Sequence, residues 1–390
     1  MSSVSRIRVL VVDDSVVVRR LVTDILSSDP RIEVVGTAAN GKVALAKIPQ
    51  VNPDLVTLDV EMPVMDGLTT LRELRKDYPK LPVIMFSTLT DRGASVTLDA
   101  LERGANDYVA KPANVGSVTA SMEAVRSQLV PKIVALCSRT RPVAPPIATP
   151  VRPRPTVGAA TTALTAPLDA GGKVEVLAIG ASTGGPDALS TVLSALPANL
   201  PVPVVVVQHM PPVFTKQFAD RLNGRCALTV REAEPGVPVV AGQVLVAPGD
   251  FHMRVRTTNG RVRAHLDQGV PENYCRPAVD VLFRSVVDTY GGRVLGLVLT
   301  GMGADGARGA AEIVRAGGSV FVQDEATSVV WGMPGAVTAA GLAARQLPLG
   351  EVASAVTARI LGRGPTFRST TASAPADTRP RVRPIERTAL

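Results

Sequence analysis

The residues Gly180-Ala181-Ser182-Thr183-Gly184-Gly185-Pro186 directly follow an apolar run at positions 176–179. An apolar run that ends in small residues predicts a buried strand that turns sharply into a helix. Such a turn exposes one hydroxyl, that of Ser182, beside the free amide groups of a helix N-terminus. It can hold a nucleophile beside an oxyanion hole, bind a phosphate or dinucleotide, or serve only as a tight connection.

Charge is distributed unevenly along the chain. The 390 residues carry a net charge of +8, and 46% of them are hydrophobic, which predicts two or three domains with ample cores. The excess of positive charge lies in residues 129–173 and 363–390, which are rich in Pro, Thr, Ala and Arg. This composition predicts a disordered linker and a disordered tail rather than a basic folded surface, so we expect no nucleic-acid partner.

Cysteine usage and hydropathy indicate the compartment. Cys137, Cys226 and Cys275 are isolated and lack the spacing of metal ligands, which is typical of a reducing environment. Apolar runs stay far below the roughly 20 residues of a membrane span. Acidic residues at positions 13 and 14 come too early for a signal-peptide core. We therefore expect a soluble, cytoplasmic protein without membrane insertion.

Residues 1–128 alternate short apolar runs with helical patterns. The runs lie at 7–12, 32–38, 55–58, 83–86 and 108–109. Continuous apolar runs of this kind predict an α/β domain with a parallel sheet covered on both faces. Ligands of such sheets bind beyond the carboxyl ends of the strands. The polar residues expected there are Asp13, Asp14, Asp59, Ser87 and Lys111.

These polar residues suit phosphoryl chemistry. Three converging carboxylates repel one another unless a hard cation lies among them, and Mg²⁺ prefers such oxygen ligands. A lysine and a hydroxyl suit a phosphoryl group carried on one carboxylate. Any single aspartate could be a helix cap. Capping explains all five positions together poorly, especially with these pairs around them: Met62-Pro63, Asp66-Gly67 and Lys111-Pro112.

Over its whole length this segment resembles a response-regulator receiver domain. The resemblance implies a flavodoxin-like, doubly wound fold in which Asp59 accepts a phosphoryl group from a histidine kinase. It also implies that Asp13, Asp14 and Asp59 bind Mg²⁺, and that Ser87, Tyr108 and Lys111 form the switch. Thr88 follows Ser87 directly, so the strand register decides which hydroxyl faces the site.

Residues 174–362 predict a second, mostly parallel sheet. Apolar runs lie at 176–179, 202–207, 244–246, 294–299 and 319–322, with helical patterns at 188–196, 214–222, 279–289 and 309–316. A dinucleotide site is poorly supported, because the glycine turn reads Gly-x-Ser-x-Gly-Gly. The next strand also ends in Gln208-His209 rather than in an acidic residue.

A serine nucleophile needs a general base, which is most often histidine. Of the three histidines, His209 follows a predicted strand and therefore lies at the same sheet edge as Ser182. His252 lies in a predicted turn or hairpin, and His265 lies in a polar strand that we expect to face solvent.

The base in turn needs a carboxylate to orient it. Asp305 lies in the glycine loop after the 294–299 strand, at the same edge, although Asp-Gly is also a common turn pair. Asp280 competes for this role, but it lies inside a helical pattern and fits a helix cap or a substrate contact better. The chain order Ser-His-Asp differs from the order in α/β-hydrolases.

The second domain resembles the chemotaxis protein-glutamate methylesterase domain. The resemblance is carried by residues 180–186, Gln208-His209-Met-Pro, Ala247-Pro-Gly-Asp-Phe-His-Met, Leu299-Thr-Gly-Met-Gly-Ala-Asp-Gly, Arg276-Pro-Ala-Val-Asp-Val-Leu-Phe and Trp331-Gly-Met-Pro. It implies a Rossmann-like domain that demethylates glutamyl γ-methyl esters on chemoreceptors, and deamidates selected glutamines, without a cofactor for the ester chemistry. Ser182, His209 and Asp305 would form the triad.

The same resemblance implies further roles. Thr183, Gly184, Gly185 and Met302 are candidates to stabilise the oxyanion, and the unphosphorylated receiver would cover the catalytic cleft. The other reading is a binding protein: a response regulator whose second domain is an adaptor with a lapsed site. Ser182, His209 and Asp305 are all present, which argues against a lapsed site.

Overall fold

Two separate parallel sheets form the framework of the protein. The structure, a computed structural model, describes residues 6–111, 118–138 and 172–362. The predicted tail at 363–390 and linker residues 139–171 lie outside the described residues. The two sheets confirm the prediction of two α/β domains with parallel strands and flanking helices.

The first domain contains a five-stranded sheet with the order β2-β1-β3-β4-β5, in which every pair is parallel. Its elements are β1 (Ile7–Val12), α1 (Val16–Ser27), β2 (Ile32–Ala38), α2 (Gly41–Val51), β3 (Leu55–Asp59), α3 (Gly67–Asp77), β4 (Val83–Ser87), α4 (Asp91–Glu102), β5 (Asp107–Ala110) and α5 (Val118–Cys137). Helix α5 thus continues into the segment 129–173 that we assigned to the linker.

The second domain contains a seven-stranded parallel sheet with the order β14-β13-β12-β6-β7-β9-β8, and a separate hairpin of β10 and β11. Its elements are β6 (Val176–Ala181), α6 (Gly185–Ser194), β7 (Val204–Gln208), α7 (Pro212–Asn223), β8 (Thr229–Glu232), β9 (Gln243–Val246), β10 (His252–Thr258), β11 (Arg261–Asp267), α8 (Val279–Tyr290), β12 (Val294–Val298), α9 (Ala307–Arg315), β13 (Ser319–Gln323), α10 (Met333–Ala339), β14 (Arg345–Leu347) and α11 (Leu349–Ile360).

Apolar residues of each strand alternate between two hydrophobic clusters. In β6, Leu177 and Ile179 face the cluster that holds α6, α7 and α11 residues, whereas Val176 and Ala178 face the cluster that holds α8, α9 and α10 residues. The sheet is therefore covered on both faces, which is why its strands read as continuous apolar runs. In the described part of the chain, no helix is both long enough and apolar enough to cross a bilayer.

The strand order reverses at one point in each sheet. The first strand, β1, lies between β2 and β3, and the corresponding strand of the second sheet, β6, lies between β7 and β12. In open parallel sheets a crevice forms at such a switch point, outside the carboxyl ends of the strands. Both predicted sites lie at these crevices.

Candidate active site

Ser182 follows the last residue of β6 and lies at the switch point of the second sheet. Its backbone is held on both sides: its N–H donates to the Thr300 carbonyl at 3.0 Å, and its carbonyl accepts from the Gln208 side chain at 3.0 Å. The following turn reaches helix α6 through Gly184, whose φ of 75° is left-handed. Glycine adopts this conformation at little cost. The predicted strand-to-helix turn is therefore present, with Ser182 partly exposed at its start.

His209 lies beside Ser182 because their strands are paired. Ala181 of β6 is in register with Gln208 of β7, and the His209 N–H donates to the Ala181 carbonyl at 3.2 Å. Neighbouring strands lie about 4.8 Å apart, so the two residues that follow these partners meet at one edge. Ser182 and His209 thus extend from adjacent strand ends.

Asp305 reaches the same edge from the loop after β12. Its Oδ2 lies 2.8 Å from His209 Nε2. Because a carboxylate can only accept, this imidazole nitrogen carries the proton and donates it. The carboxylate is also held by the start of α8, where Val279 N–H donates to Oδ2 at 2.7 Å and Asp280 N–H donates to Oδ1 at 3.0 Å. Helix α8 thus positions the Asp305 carboxylate, which in turn positions His209.

The electrostatics of this pair favour a charged histidine. Burial lowers the pKa of the His209 imidazole, but hydrogen bonds to Asp305 and Cys275 outweigh burial and raise it above its ordinary value. Burial raises the pKa of Asp305, but the histidine and the α8 amides outweigh burial and lower it. This arrangement stabilises an imidazolium that forms when a hydroxyl gives up its proton.

The second imidazole nitrogen faces a cysteine. His209 Nδ1 lies 3.5 Å from Cys275 Sγ. Among the described residues, no hydrogen bond joins the Ser182 hydroxyl to His209. Since Asp305 occupies Nε2, Nδ1 is the nitrogen that remains to accept a proton. In this structure that nitrogen faces the Cys275 thiol.

The oxyanion candidates belong to two loops, the turn after Ser182 and the loop after β12, in which Gly301 lies close to Ser182. Gly184 and Gly185 begin α6, where amide groups point out of the helix end. Thr183 is buried and directs its hydroxyl elsewhere, to Asp107 of the first domain at 2.5 Å. Met302 is partly buried and packs on an apolar cluster that contains α5 residues. Both the Ser182 turn and the Met302 loop therefore adjoin the first domain.

The other two histidines have different positions. His252 begins β10 and is buried, with Nδ1 accepting from Ala278 N–H at 3.2 Å and Nε2 3.1 Å from the Val270 carbonyl. His265 is exposed in β11. Asp280 does not cap its helix; its Oδ1 accepts from Gly309 N–H of α9 at 2.7 Å.

The carboxylate edge of the first domain brings its predicted residues together. Ligand oxygens of Asp13, Asp14 and Asp59 lie within 4.8 Å of one another. Lys111 Nζ bridges two of them, at 2.9 Å from Asp13 Oδ2 and 2.8 Å from Asp59 Oδ2. Three clustered carboxylates against one ammonium leave negative charge uncompensated, so these residues fit Mg²⁺.

Burial dominates the electrostatics of Asp59. It raises the pKa of this carboxyl, Lys111 opposes the rise and Asp13 adds to it, so that the pKa reaches about 6. The adjoining cleft of about 260 Å³ is lined by both Ser87 and Thr88. Ser87 is buried at the end of β4, whereas Thr88 is exposed and its hydroxyl lies 3.2 Å from the Thr90 hydroxyl.

Residues of β5 and α4 in the first domain pack on the second domain. The Tyr108 ring stacks on Phe214 of α7, with centroids 4.6 Å apart. Arg221 of α7 donates to Asp99 at 2.5 Å, and Arg225, just after α7, donates to Glu102 at 2.7 Å; both acceptors are on α4. Together with the Asp107–Thr183 bond, these contacts place the first domain against the turn that carries Ser182.

Sequence reasoning missed two polar residues of this site. Cys275 contacts His209, and Asn273 Nδ2 donates to Asp305 Oδ1 at 2.9 Å. Both lie in a loop without periodicity, outside the strand-end pattern that identified the other residues. The local signals of a turn were Gly269 and Pro271 before Asn273, and Pro277 after it.

Comparisons with known proteins match both domains. A family described as CheB methylesterase matches residues 177–356, and one described as response regulator receiver domain matches residues 9–123. A protein-glutamate methylesterase/protein-glutamine glutaminase of Nocardioides sp. is 57% identical over 361 residues, covering 93% of this chain and 97% of that protein. A protein of the same name from Trichodesmium erythraeum is 51% identical, covering 91% and 99%.

Among the solved structures that are similar to this chain is the crystal structure of the Thermotoga maritima CheB methylesterase catalytic domain. It is 42% identical, with a TM-score of 0.47, and the match covers 48% of this chain and 98% of that one. Both family matches occur in the order that the sequence predicted, and the relatives span nearly the whole chain. The chain therefore belongs to the CheB methylesterase family, with a response-regulator receiver domain ahead of the methylesterase domain.

Proposed function

We propose that this protein hydrolyses glutamyl γ-methyl esters on the cytoplasmic domains of chemoreceptors and deamidates selected glutamines there. The observation that carries the proposal is the convergence of Ser182, His209 and Asp305 at one switch point, with His209 bonded to Asp305 at 2.8 Å. Relatives that span the chain bear names for both activities. We place the enzyme in the cytoplasm, where those receptor domains lie.

In the proposed first step, Ser182 is the nucleophile and His209 is the general base. Ser182 Oγ attacks the ester carbonyl carbon while its proton passes to His209 Nδ1, the nitrogen that Asp305 leaves available. Collapse of the tetrahedral intermediate breaks the bond to the methoxy group, which takes the proton from His209 and leaves as methanol. An acyl group now remains on Ser182.

Water completes the reaction. It gives a proton to His209 as it attacks the acyl carbonyl, and collapse then breaks the bond to Ser182 Oγ, which takes the proton back. The products are a receptor glutamate side chain with a free carboxylate and the regenerated serine. A glutamine side chain follows the same course, with ammonia leaving in place of methanol.

We propose that two loops stabilise the oxyanion. The amides at the start of α6, near Thr183, Gly184 and Gly185, follow the nucleophile, and Gly301, next to Met302, lies close to Ser182. One such donor contributes roughly 3–4 kcal/mol to transition-state stabilisation. A partial positive charge at the helix N-terminus acts in the same direction.

We further propose that the receiver inhibits this site until a histidine kinase phosphorylates Asp59. Mg²⁺ held by Asp13, Asp14 and Asp59 would neutralise charge on the incoming phosphoryl group. Lys111 and Ser87 lie beside the same carboxylate to contact it. Support for inhibition comes from the contacts of Asp107 with Thr183 and of Tyr108 with Phe214, which hold the receiver on the serine turn.

Methanol release from a methylated receptor fragment tests the proposal. Ser182→Ala should abolish release in the phosphorylated full chain while leaving its thermal melt nearly unchanged, because the backbone bonds of residue 182 remain. Retained turnover would exclude Ser182 as the nucleophile. A wild-type chain that binds receptor but releases no methanol would instead be an adaptor.

A further inference from the structure

A two-residue turn outside the triad contacts two of its members. Glu272 and Cys275 exchange backbone hydrogen bonds of 3.1 and 2.9 Å, and the residues between them, Asn273 and Tyr274, have φ angles of 53° and 63°. A turn with two left-handed central residues favours Asn, Asp or Gly. Tyrosine in this conformation is an outlier that persists only where the surroundings impose it.

Ion pairs impose this conformation from both sides. Glu272 accepts two bonds from Arg284 of α8, at 2.9 and 2.5 Å. Arg276, which follows the turn, donates to Asp250 through Nε at 3.0 Å and to the Gln268 carbonyl at 3.1 Å. The turn is therefore anchored to α8 at one end and to the loops around β10 and β11 at the other.

The anchored turn places the Asn273 amide between two buried carboxylates. Its Nδ2 donates to Asp305 Oδ1 at 2.9 Å and to Asp280 Oδ2 at 3.0 Å. An amide nitrogen carries two protons, so it can serve both acceptors at once. Asp280 is fully buried and Asp305 nearly so, and two such carboxylates repel each other unless donors lie between them.

The amide is also one of several donors that fix which oxygen of Asp305 faces the histidine. Oδ1 accepts from Asn273, from Asp280 N–H and from Gly306 N–H, whereas Oδ2 accepts from His209 and from Val279 N–H. Three donors on Oδ1 hold the carboxylate in one rotation. Of these donors, only the Asn273 amide comes from a side chain and can be removed by substitution.

We infer that Asn273 is a positioning residue of the esterase centre, which acts through Asp305 to hold and to tune His209. This inference rests on the triad proposed above. Losing the amide leaves more negative charge on Asp305 to stabilise protonated His209. A catalytic base with a higher pKa is unprotonated only at higher pH, so the acid limb of the pH profile should move upward.

The test compares three variants in the full chain, each activated with acetyl phosphate and Mg²⁺. Asn273→Gly keeps the left-handed backbone and removes the amide. Asn273→Asp keeps the shape but can only accept, and it adds a third carboxylate. The control, Tyr274→Gly, changes the fully exposed neighbour in the same turn; within the part of the chain that the structure describes, its side chain forms no hydrogen bond with the triad.

We expect kcat for methanol release to fall about 10- to 100-fold in both Asn273 variants, the scale on which misplaced catalytic groups act. The acid limb of kcat/KM should move to higher pH, further in Asn273→Asp than in Asn273→Gly. The limb of Tyr274→Gly should coincide with that of the wild type. Thermal melts establish that each variant is folded at the assay temperature.

Two results would overturn the inference. One is a folded Asn273→Gly enzyme with wild-type kcat and acid limb. The other is a fall in kcat that matches the loss of folded protein, while the acid limb of kcat/KM stays where it is in the wild type. That combination would show that Asn273 has only a structural role. Ser182→Ala, assayed in parallel, separates the two proposals: if it is inactive while the Asn273 limb is unmoved, only the positioning role fails.

Discussion

The ring of Tyr108 in the receiver lies parallel to the ring of Phe214 in the methylesterase domain, with an interplanar angle of 5° and centroids 4.6 Å apart. Phe214 is fully buried, and it lies in the first turn of α7, the helix that follows His209. The aromatic residue that the receiver resemblance assigns to the switch is thus part of the contact between the domains. A change in the receiver that moves Tyr108 must disturb this contact.

Removing the Tyr108 ring should weaken the hold of the receiver. An aromatic pair contributes about 0.5–1.5 kcal/mol beyond its area burial, so Tyr108→Ala should raise the rate of the unphosphorylated chain severalfold. Tyr108→Phe keeps the stack and should leave this rate low. Initial rates of methanol release measure both. If Tyr108→Ala has the low rate of the wild type, the stack does not hold the closed state.

Removing the charge of Asp107 should have a similar effect. A hydrogen bond to a charged acceptor contributes about 1.5–3 kcal/mol, so Asp107→Ala, which loses the Thr183 bond, should raise the unphosphorylated rate about tenfold or more. The phosphorylated rate should match that of the wild type, because the catalytic residues are unchanged. An unphosphorylated rate that stays at the wild-type value would assign this bond no part in inhibition.

The two buried histidines should respond differently to substitution. His209→Ala should abolish turnover, whereas His252→Ala should lower the melting temperature but retain measurable kcat, because its hydrogen bonds among the described residues are with backbone groups. For the wild type, kcat/KM should rise with pH, with an acid limb above the ordinary histidine pKa of about 6.5, since the pKa of His209 is raised. The reverse order of damage would identify His252 as the base.

Magnesium binding to the receiver should depend on pH through Asp59. This carboxyl has a pKa of about 6 and must be ionised to bind a cation, so affinity should increase as pH rises through 6. Titration calorimetry should give an affinity about tenfold lower at pH 5 than at pH 7.5. Asp59→Asn should bind weakly at both pH values. Equal wild-type affinities would place the titrating group elsewhere.

Strand ends made the fold and much of the site predictable. Continuous apolar runs predicted the central strands, and Ser182, His209 and Asp305 were chosen because each follows such a run. The short edge strands β8 and β14 were not predicted. They have four and three residues, largely exposed or polar, which is too short for a clear hydrophobic pattern. Helix α10, of seven residues, was missed for the same reason.

Contacts that depend on loop conformation or on domain docking could not be predicted. Asn273 and Cys275 reach the triad only because ion pairs hold their turn in a left-handed conformation. Phe214 belonged to a predicted helix, but its partner Tyr108 follows from how two separately folded domains pack together. Neither contact produces a periodic pattern of apolar residues in the sequence.

Control of the esterase by the receiver is the central claim, and initial rates of methanol release in three samples test it most directly. The samples are the full chain without phosphodonor, the full chain with acetyl phosphate and Mg²⁺, and a chain that begins at residue 172. The second and third should exceed the first by about tenfold or more, within the usual range of allosteric coupling. Equal rates in all three would show that the receiver does not cover the catalytic residues.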